Sequence, residues 1–229
     1  MLKRTVLVVA AHPDDEVLGC GGTIALHLMN EDEVYILFMS DGVSSRIHIN
    51  NGEIKKRKQN AINASSALGV ENKPIFLEFL DNRMDQEALL DIVQPLEKII
   101  YDIRPEVVYT HHIGDLNIDH QITHKAVMTA CRPQPEFCVK EIYTFEVLSS
   151  TRWNSQTTMN IFTPNVFIDI TKIWRKKTNA LFCYKNELRE FPHARSYKGV
   201  EALANYRGVS VGVEYAEAFQ LERKIKHAS

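Results

Sequence analysis

Short apolar runs alternate along the chain with longer segments in which apolar residues recur every three to four positions. The short runs predict strands and the longer segments predict amphipathic helices. The predicted strands cover residues 5–10, 34–39, 75–79, 107–110, 142–147 and 166–170, and the predicted helices cover residues 17–29, 54–68, 86–103 and 120–130. This alternation, with right-handed crossovers, predicts a doubly wound α/β fold with a mostly parallel sheet and helices on both faces.

The last third of the chain is less regular. It predicts an added lobe over the strand ends, where ligands of open α/β sheets bind. A length of 229 residues fits a single domain that spans the whole chain, 1–229.

The charge balance bears on the class of partner. Lys and Arg number 27 against 29 Asp and Glu, a formal charge of −2, which gives no electrostatic basis for binding nucleic acid. We therefore expect small-molecule partners, and the sequence neither requires nor excludes a homo-oligomer. No segment approaches the ~20 apolar residues of a membrane span. Four cysteines without CxxC spacing, and no cleavable N-terminal apolar segment, predict a reduced cytoplasmic location.

The stretch VVAAHPDDEVLG runs an apolar strand directly into a histidine, a proline and three acids. His12 falls at the end of the first predicted strand, and the acids enter the first turn of the next helix, whose positive end favours carboxylates. A histidine nitrogen and a carboxylate oxygen three residues later, from Asp15, can both reach one Zn²⁺. Catalytic zinc typically takes three protein ligands and a water, so a third ligand is required elsewhere.

A second polar loop, residues 110–120, follows the fourth predicted strand and reads THHIGDLNIDH. Both loops lie at carboxyl strand ends and could converge, so this loop is expected to supply the third ligand. The adjacent carboxylates Asp14 and Asp15 cannot easily point in one direction. One is therefore expected to bind metal and the other to act as a base toward bound water. The residues alone do not assign the two roles.

Two other interpretations apply to this stretch. A His-Pro-Asp-Asp turn can simply cap a helix, because Asp is a favoured N-cap residue. Gly19, Gly21 and Gly22 suggest a nucleotide-binding loop, but GCGG does not match GxGxxG, and the preceding acids would repel a diphosphate without a metal.

The segment AHPDDEVLGCGG resembles the signature of the PIG-L (LmbE-like) zinc-dependent deacetylases. This family includes N-acetylglucosaminyl-phosphatidylinositol de-N-acetylases and the deacetylases of mycothiol and bacillithiol synthesis. Further family landmarks follow in order: SDG at 40–42, an arginine-led helix ending in LGV at 68–70, the pair Asp119-His120, then HARS and YAEAF. The resemblance runs from about residue 5 to about residue 220 and implies a Rossmann-like, LmbE-like fold.

The resemblance also implies roles for individual residues. His12, Asp15 and His120 would bind zinc, or another divalent metal in its place, and Asp14 would be the general base. Arg57 occupies the position of a substrate-contacting arginine, although Asn60 replaces the glutamate usual three positions later. Without the resemblance, the basic run 55–58 indicates that Arg57 is a solvated cation.

The late HARS segment resembles a family motif, and its His193 and Arg195 would contact the sugar or shape the pocket. The same segment could equally be a surface turn after Pro192. Many relatives carry a histidine where this chain has Asn117. Because an asparagine amide can donate a hydrogen bond to a developing oxyanion, Asn117 is predicted to be catalytic. The residues predicted to support the ligands from behind are Asp119, His111, His112 and His124.

The sequence thus predicts a zinc amidohydrolase that removes the acetyl group from an N-acetylglucosamine-type sugar or conjugate, releasing acetate and an amino sugar. A non-catalytic sugar- or metal-binding protein of the same fold would retain the ligands without turnover. A metal-dependent phosphoesterase could use the same ligand types.

Overall fold

The computed structural model describes residues 3–46, 51–158 and 160–226. Its strands are β1 (Thr5–Ala10), β2 (Glu33–Ser40), β3 (Ile75–Phe79), β4 (Val107–His111), β5 (Glu141–Phe145), β6 (Val166–Asp169) and β7 (Ala216–Lys224). Its α-helices are α1 (Asp15–Met29), α2 (Asn51–Leu68), α3 (Leu89–Ile103), α4 (Ile118–Ala130), α5 (Ser150–Trp153), α6 (Trp174–Cys183) and α7 (Tyr197–Val209). Single 3₁₀ turns cover Met84–Gln86 and Thr171–Ile173.

The strands form a seven-stranded sheet in the order β3-β2-β1-β4-β5-β7-β6. Strands β1 to β5 pair in parallel, whereas β7 runs antiparallel to both β5 and β6. The predicted doubly wound, mostly parallel α/β fold is confirmed. The sequence did not predict strand β7 or the helices α5, α6 and α7. Part of the last third therefore extends the sheet as well as covering its edge.

Helices cover both faces of the sheet and bury its apolar side chains. Val6 and Val8 of β1 belong to the core beneath α1, α2 and α6. Leu7 and Val9 point the opposite way, into the core shared with α3 and α4. A Cβ on Gly19 would lie 2.3 Å from the Phe145 ring, so glycine lets α1 approach the sheet closely. No helix within the described ranges is both long and apolar enough to cross a bilayer.

Helix α1 is kinked at Cys20, where φ is −146°. The kink exposes new backbone N–H groups, and the buried Glu217 carboxylate accepts those of Gly22 at 2.8 Å and Thr23 at 2.7 Å. Lys177 Nζ lies 2.6 Å from Glu217 and donates a hydrogen bond to the Leu18 carbonyl at 3.0 Å. This ion pair joins α6 and β7 to both halves of α1.

We expect Lys177→Met to destabilise the fold by about 3–5 kcal/mol, because it leaves the Glu217 charge buried without its cation. Lys98→Met is the matched control, since Lys98 is exposed and pairs with Asp102 on the helix surface. Its effect should stay within about 0.5 kcal/mol. Urea unfolding midpoints compare the two variants, and equal midpoints would show that the buried pair contributes no more than a surface pair.

Candidate metal-binding and catalytic site

The candidate site lies at the carboxyl ends of β1 and β4. These strands are neighbours in the sheet, and the chain leaves them toward opposite sides, so the crevice between them is a topological switch point. His12 lies two residues after β1, and His120 lies in the first turn of α4, which follows β4. The fold therefore brings together the two polar loops that the sequence predicted to converge.

Three donor atoms meet in this crevice. His12 Nδ1 lies 3.2 Å and His120 Nε2 lies 3.1 Å from the same Asp15 oxygen, Oδ2. The two ring nitrogens are 3.3 Å apart, and all three side chains are buried. Tetrahedral ligands at zinc bond lengths are also roughly 3.3 Å apart. The three predicted metal ligands therefore have the spacing that a shared metal ion requires.

The electrostatics of the same three residues also fit a cation. Asp15 Oδ1 is buried and has no hydrogen-bond partner in the described part of the chain. Burial lowers the pKa of His120, but the carboxylates of Asp15 and Asp115 raise it to about 9. A metal ion would thus displace a proton from this cluster. Two imidazole nitrogens and one carboxylate oxygen suit zinc, and other divalent metals accept the same donors.

Two further carboxylates hold the other nitrogen of His12. His12 Nε2 lies 3.0 Å from Asp119 Oδ2 and 3.1 Å from Asp81 Oδ1. Asp119 is itself fixed by the backbone N–H groups of Asn82, at 2.7 Å, and Met84, at 3.1 Å. Carboxylates in this position hold the proton on Nε2, so the Nδ1 lone pair faces the crevice.

Asp115 occupies the equivalent position behind His120. Its Oδ2 lies 3.2 Å from His120 Nδ1 and accepts hydrogen bonds from Thr151 Oγ1 at 2.6 Å and Ser150 Oγ at 3.0 Å. Burial would raise the pKa of Asp115, but His120 and these donors lower it to about 2. Asp115 is therefore charged, and it directs His120 Nε2 toward the crevice.

Asp14 contacts a different set of groups from Asp15: two arginines in place of the two histidines. Its backbone has φ = 120°, a conformation that is strained for a non-glycine residue and is common at functional sites. Asp14 Oδ2 lies 3.1 Å from Arg57 Nη2 and 3.4 Å from Arg195 Nη1. Oδ1 is buried and has no hydrogen-bond partner in the described ranges. Burial raises the pKa of Asp14, and the two arginines oppose that shift.

A buried network fixes the backbone of Asp14. Its N–H donates to Glu16 Oε2 at 2.9 Å, and Tyr184 donates its hydroxyl to Glu16 Oε1 at 2.7 Å. The Arg57 guanidinium lies over the Tyr184 ring, 5.4 Å from the centroid. Arg57 is only 4% exposed, so its interpretation as a solvated cation is wrong.

A cleft of about 620 Å³ opens beside these groups. It is lined by Asn82, Leu116, Asn117, Ile118, Ser149, Ser150, Trp153, Glu187, Arg189, His193 and Arg195. The HARS segment therefore reaches the site, and is not merely a surface turn. The rings of His193 and Trp153 are perpendicular, with their centroids 5.6 Å apart, and Arg195 donates a hydrogen bond to Ser149. Arg57 lies behind Asp14 instead of on the cleft wall.

Of the three histidines predicted to support the ligands, His111 lies against them: its ring stacks on that of His120, with the centroids 3.9 Å apart. His111 Nε2 accepts the Ala11 N–H at 2.8 Å, and burial holds the pKa of His111 well below its usual range, so it is neutral. His124 Nδ1 lies 2.9 Å from the His111 carbonyl oxygen. His112 Nε2 lies 3.2 Å from the Asn160 carbonyl oxygen, and the structure does not bring His112 to the three candidate ligands.

Asn117 caps helix α4. Its side-chain oxygen accepts the N–H groups of Asp119, at 2.8 Å, and His120, at 3.4 Å. Its amide nitrogen donates to Asn82 Oδ1 at 3.0 Å on the cleft wall. Asn117 thus fixes the start of the helix that carries His120. Its catalytic role stays a prediction.

The sequence did not point to three carboxylates of this region: Asp81, Asp115 and Glu187. Asp81 follows β3 by two residues, so the rule that located His12 at a carboxyl strand end could have found it. Asp115 lies in the second polar loop but received no role. Glu187 lies between α6 and α7, and no local pattern marks it.

Comparison with known proteins is consistent with this site. The family model described as PIG-L: GlcNAc-PI de-N-acetylase matches residues 7–131. The uncharacterised deacetylase YaiS of Escherichia coli (strain K12) is 32% identical over 58% of this chain and 71% of its own length. The 4-oxalmesaconate hydratase of Pseudomonas putida (KT2440) is 26% identical over 95% of this chain and 89% of its own length.

Two further similarities concern N-acetylated sugars. The probable N-acetyl-alpha-D-glucosaminyl L-malate deacetylase 2 of Bacillus cereus is 25% identical over 85% of this chain and 90% of its own length. The solved N,N'-diacetylchitobiose deacetylase of Pyrococcus horikoshii superposes with a TM-score of 0.76 at 21% identity. The match covers 95% of this chain and 83% of that one.

The fold and site define an α/β protein with a histidine and aspartate cluster, suited to a metal, at the switch point of its sheet. The family match spans more than half of the residues and includes both polar loops. The chain belongs to the PIG-L family. The family resemblance predicted from the sequence is confirmed, and the relatives include deacetylases, which are hydrolases.

Proposed function

We propose that this protein is a metal-dependent N-deacetylase acting on an N-acetylglucosamine-type sugar or conjugate. One observation carries the proposal: the donor atoms of His12, Asp15 and His120 converge next to Asp14 in the sequence, and one Asp14 oxygen has no hydrogen-bond partner among the described residues. The family model and the malate-conjugate deacetylase support the substrate class. A protein that only bound metal or sugar would have no need for the strained, buried carboxylate of Asp14.

His12, Asp15 and His120 would hold the metal. When bound, zinc lowers the pKa of its water toward ~7 and polarises the amide carbonyl. Asp14, whose Oδ1 has no hydrogen-bond partner among the described residues, would accept a proton from the attacking water and return it to the departing amine. Arg57 and Arg195 keep Asp14 Oδ2 in place during both transfers. His111 Nε2 accepts the Ala11 N–H, so this nitrogen does not carry a proton for the departing amine.

The cleft suits a conjugate larger than a free sugar. Leu116 and Trp153 are 51% and 58% exposed there and offer apolar surface to a substituent, and His193 and Arg195 offer polar groups to the sugar.

We expect acetate release from N-acetylglucosamine and from its methyl, aryl and malyl glycosides when the protein is loaded with zinc. A strong chelator should abolish release, and added zinc should restore it, because no other group at the site can activate water to the same extent. Acetate is measured by a coupled enzymatic assay, with Asp14→Asn as the control for contaminating activity. Phosphate release from phosphomonoesters without any acetate release would favour a phosphoesterase instead.

A second candidate function is the addition of water to the double bond of an unsaturated acid. The hydratase relative favours it because the match covers nearly all of both chains. The cationic side chains of Arg189 and Arg195 in the cleft could hold a substrate carboxylate. Conversion of 4-oxalmesaconate is monitored by chromatography, and acetate release is measured on the same protein. The two measurements discriminate between the two functions.

A further inference from the structure

Glu187 connects the segment between α6 and α7 to helix α2. Its Oε1 lies 2.9 Å from Arg57 Nη1, and both of its oxygens lie within 2.9 Å of Arg46 Nη2. The Glu187 side chain is 12% exposed, whereas that of Arg46 is 44% exposed. Glu187 therefore makes one pair with a buried arginine and one with an arginine at the surface.

The Arg57 guanidinium has a carboxylate at each end, and its contact with Glu187 is an ion pair without hydrogen-bond geometry. Nη2 faces Asp14 and Nη1 faces Glu187, and the side chain is 4% exposed. A buried guanidinium with only one carboxylate would keep an uncompensated edge and could swing away from its partner. Arg57 and Glu187 line a cavity of about 240 Å³, and Asn60 lines it too. Asn60 lies one helical turn after Arg57 and carries no charge.

We propose that Glu187 is a positioning residue that holds Arg57 in the orientation from which Arg57 fixes Asp14. As far as turnover is concerned, this inference rests on the proposed function. The chain of contacts runs Glu187, Arg57 Nη1, Arg57 Nη2 and Asp14 Oδ2, with each step at 2.9 to 3.1 Å. A residue distant in the sequence thus controls the group proposed as the general base.

Glu187 also lines the substrate cleft, so a direct contact with substrate is the rival explanation. The two roles differ in the kinetic constant they affect. Loss of a substrate contact raises KM, whereas misplacement of Asp14 lowers kcat with little change in KM.

The first test observes Arg57 directly and needs no turnover. In ¹⁵N-labelled protein, the guanidinium signals of Arg57, assigned by their loss in Arg57→Lys, should be sharp and show slow hydrogen exchange. Glu187→Gln should broaden them and speed exchange about tenfold or more. Glu187→Gln combined with Asn60→Glu should restore them, because residues 57 and 60 are neighbours on the helix surface. Unchanged signals in Glu187→Gln would overturn the proposal whether or not the protein is a deacetylase.

The second test uses the substrate that the wild-type protein turns over. Glu187→Gln should lower kcat about tenfold, with KM within about twofold and with unchanged zinc content by elemental analysis. Adding Asn60→Glu to Glu187→Gln should recover most of the lost kcat. Glu78→Gln is the matched control, because it removes another ion pair to α2, with Lys58, that does not lead to Asp14.

Coupling provides the last arm of the experiment. In an Arg57→Gln background, Glu187→Gln should lower kcat no further, because the residue through which it acts is already gone. Additive losses in that background, or an increase in KM without a loss of kcat, would show that Glu187 acts on the substrate and not on Arg57.

Discussion

Asp14→Asn should lower kcat for deacetylation by about 10²–10⁴, the usual scale for a general base, while the protein retains its metal. Asparagine has nearly the shape of aspartate, and its amide oxygen can still accept from Arg57 and Arg195. It cannot accept a proton from water at neutral pH. Asp14 contributes no atom to the cluster formed by His12, Asp15 and His120, so the metal site should be unaffected.

Asp15→Asn provides the matched comparison, because it makes the same chemical change at the next residue. Asp15 Oδ2 lies within 3.2 Å of both ring nitrogens, so this variant should lose metal and activity together. Metal content by elemental analysis, measured beside kcat for both variants, separates the two roles. If Asp14→Asn lost as much metal as Asp15→Asn, the division of labour between the two acids would be wrong.

The sequence predicts the central part of this site well because its signal is local. Strand β1 is an apolar run, and His12, Asp14 and Asp15 follow it directly, so their place at the carboxyl edge follows from the strand assignment alone. His120 is located by the same rule after β4. Parallel pairing of these two strands then brings the groups together without any knowledge of side-chain conformation.

The prediction from sequence fails where the contacts are long-range or where the buried residues are charged. Arg57 belongs to a basic run that indicates a solvated helix face, and its burial is explained by Asp14 and Glu187, both of which are distant from it in the sequence. Strand β7 was missed for a similar reason. Glu217 occupies one of its buried positions and is stabilised there by Lys177 and the kink of α1, none of which a local pattern predicts.

The polar shell behind the ligands explains why so many charges tolerate burial at one edge of the sheet. Asp115 directs His120, and Asp119 with Asp81 directs His12. Asp81, Asp115 and Asp119 each accept at least two hydrogen bonds, as buried charges require. The same shell fixes which imidazole nitrogen faces the crevice, so the ligands are set before a metal arrives.

Asp119→Asn should weaken metal binding by about 10–100-fold, the effect usual for a group that directs a histidine ligand. Asp119 Oδ2 accepts from both His12 Nε2 and the Asn82 N–H, and Oδ1 accepts from the Met84 N–H. An asparagine has only one oxygen for these donors. If its NH₂ group faces His12, the ring must carry its proton on Nδ1, and that nitrogen can no longer bind metal. If the NH₂ group faces Met84, two N–H donors oppose each other.

Competition for zinc against a chromophoric chelator measures this affinity, and circular dichroism verifies the fold. Asp81→Asn is the matched control, because Asp81 also contacts His12 Nε2, at 3.1 Å, but lies nearer the surface and shares that nitrogen with Asp119. Its loss of affinity should be smaller, since Asp119 still holds the proton on Nε2. Wild-type zinc affinity in Asp119→Asn would mean that Asp119 does not set the orientation of His12. A larger loss of affinity in Asp81→Asn would mean that Asp81 sets it instead.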